Sequence, residues 1–436
     1  MAEARIYEGN GYSVTITDPD NITHDECLKL ARCGSNAWNG WRSVFPSRFV
    51  NEKLENIALF YNEDFSKNKI DFSDFQFGDY AGFANAIFGT GAKFDRAQFG
   101  EGASFRGAQF TGVALFRAAK FGAGANFQGA QFAYDASFHD VEFAERANFS
   151  GVQFGEKVFF DRACFGQDAN FVGRSWLSLK GTYDEKAQDR KTWAEARNLN
   201  PSSFQRITFD HAVFSGDVDF SDRRFEGISN FSNTTFGAAP KFHECQWHQD
   251  TSFDGAKFPP DRQKAEGLEA SARAYRTLKL VFSQQQAMRD EQRFFKLEME
   301  EEASRETGWK KWLYRAYSLT SDYGFSVWRP LKILVLYPAL ACVLLYMFIT
   351  ALANPVLWHA PLVDHPRLLG QWLQFNLANM LPLPDSELIK ELRSNLFGGN
   401  QVASVFALAI ESAQKLLALI GYFLIGLALR NLFKMK

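Results

Sequence analysis

From residue 83 to residue 171 one apolar side chain returns in a fixed rhythm. Phenylalanine stands at 83, 88, 94, 99, 105, 110, 116, 121, 127, 132, 138, 143, 149, 154, 160, 165 and 171, in steps that alternate five and six. Two residues before each of them sits Ala or Val, and the residues between are mostly polar. Steps of five and six walk around a 3.6-residue helix without settling on one face. A solenoid accommodates them: each Phe fills the axis, each small residue packs into the coil wall, and the polar residues face water.

The rhythm lapses at Val172 and returns near Phe204, so the solenoid is expected over 72–258 with an insert at 172–203. The insert has a charged helical pattern around Asp184–Arg197, and its aromatic residues Trp176, Tyr183 and Trp193 are a candidate partner surface. Insertions in solenoids collect on one face, which is where such proteins place recognition; the plainer reading packs the three against the rod. In the second tract Arg223 and Pro240 stand where Ala is expected.

Residues 1–71 read as a globular cap, needed because a first coil exposes Phe and open backbone groups. Ser13–Thr17 alternates as a short strand, and Thr23-His24-Asp25-Glu26 is a capping box opening a helix through Arg32, with Gly34 placed to end it. Beyond Pro259 the period becomes helical through Leu268, Ala272, Tyr275, Leu278 and Phe282, then again through Phe294 and Leu297. A helical hairpin capping the rod's other end follows, with the Glu298–Glu302 run as a solvated face. Trp309, Trp312, Leu313, Ala316 and Tyr317 then fall on one helical face opposite Lys310, Lys311 and Arg315, the pattern of an interfacial helix. The hairpin and this helix make up a linker, 259–327.

The remainder, 328–436, has membrane character. Leu331–Ala353 is 23 residues with one charge, Lys332, at its edge, enough to cross ~30 Å of hydrocarbon. The second stretch, Leu416–Leu429, is 14 apolar residues and must extend back through Lys415, Gln414 and Glu411 to cross. Residues 368–384 are too short to span and suit a re-entrant or interfacial helix. Lys310, Lys311, Arg315, Arg329 and Lys332 precede the first span, and Arg430, Lys434 and Lys436 follow the second. Both termini are therefore expected in the cytoplasm.

Segments such as Ala125-Asn126-Phe127-Gln128-Gly129 and Ala147-Asn148-Phe149-Ser150-Gly151 resemble the pentapeptide-repeat family, whose motif is small, polar, Leu or Phe, polar, Gly. The resemblance implies a β-solenoid of the right-handed quadrilateral β-helix type, with four five-residue faces per coil. This chain departs from it by using Phe almost throughout and by adding a sixth residue on alternate faces, expected as a small bulge at a corner. Coils of roughly 22 residues stacked at ~4.8 Å give about seven turns and a rod about 34 Å long. Trp38-Asn39-Gly40-Trp41-Arg42, Tyr275–Lys279, Ser321–Gly324, Trp328–Leu331 and Gly426–Asn431 resemble bacterial pentapeptide-repeat membrane proteins with a two-helix, ion-channel-like C-terminal region. The resemblance implies residence in the bacterial inner membrane. A carbonyl filter would need a Thr-x-Gly-Tyr-Gly-like run between the spans, and none stands there.

A net charge of −2 argues against a general polyanion binder, so nucleic acid is not an expected partner. Five scattered cysteines without a Cys-x-x-Cys fit a reducing compartment. The first residues lack the basic and apolar run of a cleavable signal. P-loop, His-Glu-x-x-His and Gly-x-Ser-x-Gly signatures are missing, so neither an enzyme nor a cofactor is expected. His243 and His248 flank Cys245 but lack a fourth ligand, so no metal is expected.

Glu411 and Lys415, four apart, share a helical face and can pair. Ionisable groups at membrane depth suggest function. Glu411, Gln414 and Lys415 are thus candidate pore residues, with Glu411 and Gln414 expected to face the axis of a homo-oligomer. The favoured function is a cytoplasmic solenoid that binds or senses a protein partner, on a hairpin that anchors it and can oligomerise into a pore. Two rivals are a membrane-depolarising effector of antiviral defence and a gyrase-interacting DNA mimic, the latter requiring a strongly acidic, untethered rod.

Overall fold

The structure, a computed structural model, describes residues 4–18, 22–46, 48–50, 53–55, 57–67, 69–173, 203–258, 265–284, 287–353, 366–381, 387–397 and 400–434. It consists of two units, Met1–Glu302 and Ala303–Lys436.

In the first unit most solenoid strands are only two residues long and of two kinds, a polar residue followed by an inward Phe, as in Gln98–Phe99, or an inward small residue followed by an outward one, as in Ala92–Lys93. Parallel pairing runs Gln98↔Lys120↔Glu142↔Cys164↔Val213↔Thr235, always joining equivalent positions of successive coils. Two faces form parallel sheets of seven strands each, and the others are held by shorter ladders and single bridges. Pairing like with like stacks the rings: Phe83 lies 4.8 Å from Phe105, Phe105 4.8 Å from Phe127, and Phe127 4.9 Å from Phe149, all within 5° of parallel. That is the spacing of hydrogen-bonded strands, so ladder and column share one repeat. Neighbouring columns meet edge to face, as Phe105 does Phe116 at 86°, the geometry the ring quadrupole favours. Each fully buried Phe contributes ~1.5–3 kcal/mol before ordering entropy is subtracted.

The two step lengths correspond to two kinds of corner. In five-residue steps the N–H three residues after the Phe returns to its carbonyl, as from Ala86 to Phe83 and Ala97 to Phe94 (both 3.1 Å). The residue two after the Phe is left-handed: Asn85 at φ 59°, Gly107 at 64°, Ala118 at 55°. Gly adopts that conformation freely, which explains its place in the motif. In six-residue steps the added residue follows the Phe and joins the ladder, since Thr111, Gly122 and Ala133 donate to Phe88, Phe99 and Phe110 of the previous coil at 2.8–2.9 Å. It lengthens the strand by one rung instead of bulging at the corner. It is small because the coils touch there: a Cβ on Gly122 would lie 2.4 Å from the Gly100 carbonyl carbon.

The columns begin earlier than the rhythm suggests, with Phe60 stacked on Phe83 at 4.9 Å and Phe65 on Phe88 at 5.2 Å. Ahead of them lie a hairpin of β1 (Arg5–Gly9) and β2 (Tyr12–Ile16), then α1 (His24–Arg32) and α2 (Ser35–Val44). The capping box at Thr23 and Glu26 is formed. Helix α2 closes the first coil. Trp38 and Trp41 are fully buried, Trp38 packs on Phe60, Phe75 and Phe77, and its Nε1 donates to the Gln76 carbonyl at 2.8 Å. Asn39 pairs with the open strand edge like another strand, accepting from Gln76 N–H and donating to the Asp74 carbonyl, both at 2.8 Å.

At the other end α3 (Ala265–Gln284) and α4 (Met288–Arg305) place Tyr275, Phe282 and Phe294 against Phe253 and Phe258. Arg293 donates to the Phe253 carbonyl at 3.1 Å, satisfying an end-of-rod acceptor. The expected solvated glutamate face needs correction. Glu298 is 3% exposed and accepts from Arg276 (2.7 Å) and Lys279 (2.6 Å), because packing of α4 on α3 sets those cations opposite it.

The second unit contains α5 (Gly308–Ser321) and then α6, which starts at Trp328–Pro330, widens into a π-helical turn at Leu331–Leu336 and continues as Tyr337–Ala353. Pro338 lacks an N–H and crowds the preceding turn, so an expanded turn just before it relieves the clash. Next come α7 (Pro366–Asn379), α8 (Glu387–Phe397) and α9 (Gln401–Lys434). Helices α6 and α9 are long and apolar enough to cross a membrane. Gly421 lets α9 approach the π turn, where a Cβ would fall 2.8 Å from Val335. Helices α7 and α8 fold back on this pair around Tyr346, Trp372, Phe375, Leu392, Leu396 and Phe397.

Candidate functional site

The candidate membrane residues converge in the interior of the second unit. Glu411 is 1% exposed and Gln414 2%. One Glu411 oxygen accepts from Arg393 of α8 at 2.6 and 3.0 Å, and the other from Lys415 at 2.7 Å. Gln414 accepts from the Tyr346 hydroxyl at 3.2 Å and donates to Asn376 Oδ1 at 2.7 Å. Nearby, Trp372 Nε1 donates to Thr350 Oγ1 at 3.1 Å. One network thus joins α6, α7, α8 and α9.

One expectation is corrected by this arrangement. Glu411 and Gln414 do not face outward to an axis in the protomer, because Arg393 and Asn376 of the same chain satisfy them. The stretch 368–384, expected to hold a short non-spanning helix, lies largely in α7, and α8 after it supplies Arg393. Helix α8 was legible in Ile389, Leu392 and Leu396 on one face, though its charges read as a loop. The Glu411–Lys415 pair forms within one helix. The carboxylate of Glu411 is thus held by a cation of its own helix and one of α8.

A second unusual site lies where the insert interrupts the rod. Phe160 stacks on Phe209 at 5.1 Å, and pairs of this coil lie 49 residues apart, as Asp161 and Asp210 do, against 22 in the regular coils. The column nonetheless runs straight through. In an unbroken corner the Phe127 carbonyl accepts from Ala130 N–H and the Ala130 carbonyl from Gln153 N–H, both at 2.9 Å. At the interrupted corner the donor is Arg223, 0% exposed. Its Nε reaches the Phe171 carbonyl at 2.5 Å, and its Nη1 and Nη2 reach those of Val152 and Phe149 at 3.0 Å. The guanidinium lies over Phe204, 4.7 Å from the ring centre. Burial lowers its pKa to about 9, leaving it charged at neutral pH. Gly173 leaves room for its passage, since a Cβ there would sit 2.9 Å from Arg223 Cδ. The anomaly at 223 was visible in the sequence; its use was not.

The candidate partner residues Trp176, Tyr183 and Trp193 lie outside the described residues. Among the described residues no group of three His, Cys, Asp or Glu could hold a metal. Cys245 donates to the Phe220 carbonyl at 3.1 Å, and burial pushes its thiol up to about 12. On α5, Trp309 and Trp312 are each 70% exposed and Leu313 58%. The face away from them, with Ser318 and the fully buried Ser321, packs on its own unit; Lys311 lies on that side, opposite the apolar stripe, while Lys310 and Arg315 flank it.

A four-faced parallel solenoid with phenylalanine columns defines the class. Residues 72–120 and 94–141 match the family model described as pentapeptide repeats (9 copies). The rod is a pentapeptide-repeat solenoid, followed by helices of which two can cross a membrane. No curated protein matched the chain, and no solved structure did. No catalytic family is indicated.

Proposed function

We propose that this chain is a membrane-anchored interaction scaffold, with a solenoid that holds a protein partner and a helical unit that fixes it to a bilayer. The exposed surface of that unit carries the reading. Leu340, Leu344 and Phe348 on α6, Leu373 and Leu377 on α7, and Phe406, Leu416 and Phe423 on α9 are each at least 45% exposed. So continuous an apolar surface suits lipid and not water. On α7 the stripe Leu369, Leu373 and Leu377 repeats every helical turn, which supports a re-entrant helix beside the two spans.

The cation distribution supports a cytoplasmic rod with both termini inside, in a bacterial inner membrane. Association of several copies around a pore is a further step of this reading, and its lining would come from the exposed faces of α6, α7 and α9. The DNA-mimic rival loses ground because acids on the rod are paired one coil away, as Asp74 is with Arg96 (2.7 Å) and Asp140 with Arg162 (2.6 Å). The antiviral effector has no observation of its own among the described residues.

Reconstitution tests the scheme. With the native cysteines replaced, a cysteine at Asp364 should be labelled from outside intact spheroplasts, and one at Lys436 should not. Liposomes carrying the full chain report ion flux. A chain that stays monomeric and disperses without detergent or lipid would remove the anchor.

A further inference from the structure

We infer that α5 is a docking surface for anionic phospholipid head groups, selecting acidic over zwitterionic lipid. The inference rests on the bilayer reading above and adds the chemistry of the leaflet that receives it. Position is the first argument. Arg329, in the first turn of α6, donates to the Ser318 carbonyl at 3.1 Å and to Asp322 at 3.3 Å. Asn431, near the end of α9, donates to the Gly324 carbonyl at 3.0 Å. The end of α5 is therefore tied to the point where one candidate span starts and the other finishes, which is head-group level.

Surface chemistry is the second argument. By 3.6-residue geometry the exposed arc of α5 is centred on Trp309, Trp312 and Leu313, with Lys310 on one flank and Arg315 on the other, while Lys311 falls on the packed side with Ser318. No acidic partner is recorded for Lys310 or Arg315 among the described residues, whereas Arg329 is already engaged by Asp322. A helix lying flat with its aromatic arc at the acyl boundary sets flanking cations level with the phosphates, their stems running along the apolar face. The apolar arc is what selects a lipid over free phosphate, which would gain nothing from it. Each cation near an acidic leaflet is worth roughly a fivefold preference, so the two flanking ones give enrichment of roughly twenty-five-fold.

The test uses the full chain in nanodiscs of mixed phosphatidylcholine and phosphatidylglycerol, with bromine on the acyl chains of one lipid at a time. Comparison with a Trp309→Phe/Trp312→Phe variant isolates the fluorescence of that pair. Quenching of this share should be several-fold stronger with brominated phosphatidylglycerol, and the excess should vanish in Lys310→Gln/Arg315→Gln, which keeps the aromatic arc. Equal quenching by both lipids, or an excess that survives the double substitution, overturns the inference while leaving the anchor intact. No quenching by either lipid in loaded discs means protein covers the face, and also overturns it. A chain that enters discs of neither lipid overturns the bilayer reading and this inference with it.

Discussion

Replacing Arg223 by Ala removes one side chain and exposes faults in three coils. The carbonyls of Val152 and Phe171 lose the Arg223 donor at 2.5–3.0 Å in a site without solvent access, and that of Phe149 keeps only the Val152 N–H at 3.3 Å. Hydrogen bonds from a charged donor contribute ~1.5–3 kcal/mol each, and an orphaned buried acceptor costs about 1–3 kcal/mol. Against that loss stands relief of a desolvated guanidinium, since burying a charge costs several kcal/mol. The net expectation is destabilisation by about 3–5 kcal/mol, the range seen when one partner of a buried charged contact is removed. Because each coil touches only its neighbours, the damage should stay local. Hydrogen exchange on the full chain should show protection lost in the coils around residues 149–225 and retained at 83–121. Arg223→Lys keeps the charge but cannot reach three carbonyls at once, so it should behave nearly as badly as Ala. If Lys restores wild-type exchange, charge rather than donor geometry matters; if Ala leaves exchange unchanged, the corner does not depend on Arg223.

Hydrogen bonds from Arg96 and Arg162 hold the carboxyls of Asp74 and Asp140 below the ordinary value of 3.8. A folded pKa below the unfolded one adds stability above the unfolded value and loses it as pH falls through the folded one. Asp74→Asn and Asp140→Asn should therefore melt below wild type at neutral pH and alongside it in strong acid; a gap that persists in acid contradicts this. Ala118 is left-handed at φ 55° on the exposed surface, so Ala118→Gly should stabilise by roughly 0.5–1 kcal/mol once backbone entropy is subtracted. A lower midpoint in denaturant would show the turn is not strained. Glu411→Leu leaves Arg393 and Lys415 without their carboxylate and should destabilise the helical unit by about 3–5 kcal/mol. The readout is faster labelling of Cys342, 8% exposed, in a background lacking the other cysteines. Unchanged labelling with altered ion flux would return Glu411 to a pore axis.

The rod was legible because each Phe is at once buried and periodic, so spacing alone reported the columns. The first coil escaped because Glu63 and Ile70 stand in its small-residue positions and Phe65 to Phe72 is an irregular step. Helix α2 escaped for a local reason: Ser-Asn-Ala-Trp-Asn-Gly-Trp has weak helical propensity, and its shape comes from docking Trp38 onto the rings beneath. The role of Arg223 depends on carbonyls 52 to 74 residues earlier in the chain, a distance that no local pattern spans. Glu411 invited a pore reading because its intrahelical pair with Lys415 was visible while Arg393, across a helix turn-back, was not.

The register of the rod also constrains how such a chain can change in length. Coils superimpose every 22 residues, as the Arg96–Asp74 and Arg162–Asp140 pairs do, and the insert intrudes without disturbing the columns because it leaves and returns at a corner. A single residue more or fewer is absorbed within a coil, since Phe204 pairs with Phe225 across 21 residues and Phe60 stacks on Phe83 across 23 with the columns intact. Only whole coils change the reach, each moving the two ends ~4.8 Å apart, while single residues and corner loops leave it unaltered. The solenoid works as a ruler with fixed graduations, able to set the reach between its capped ends in discrete steps while its corners remain free to vary.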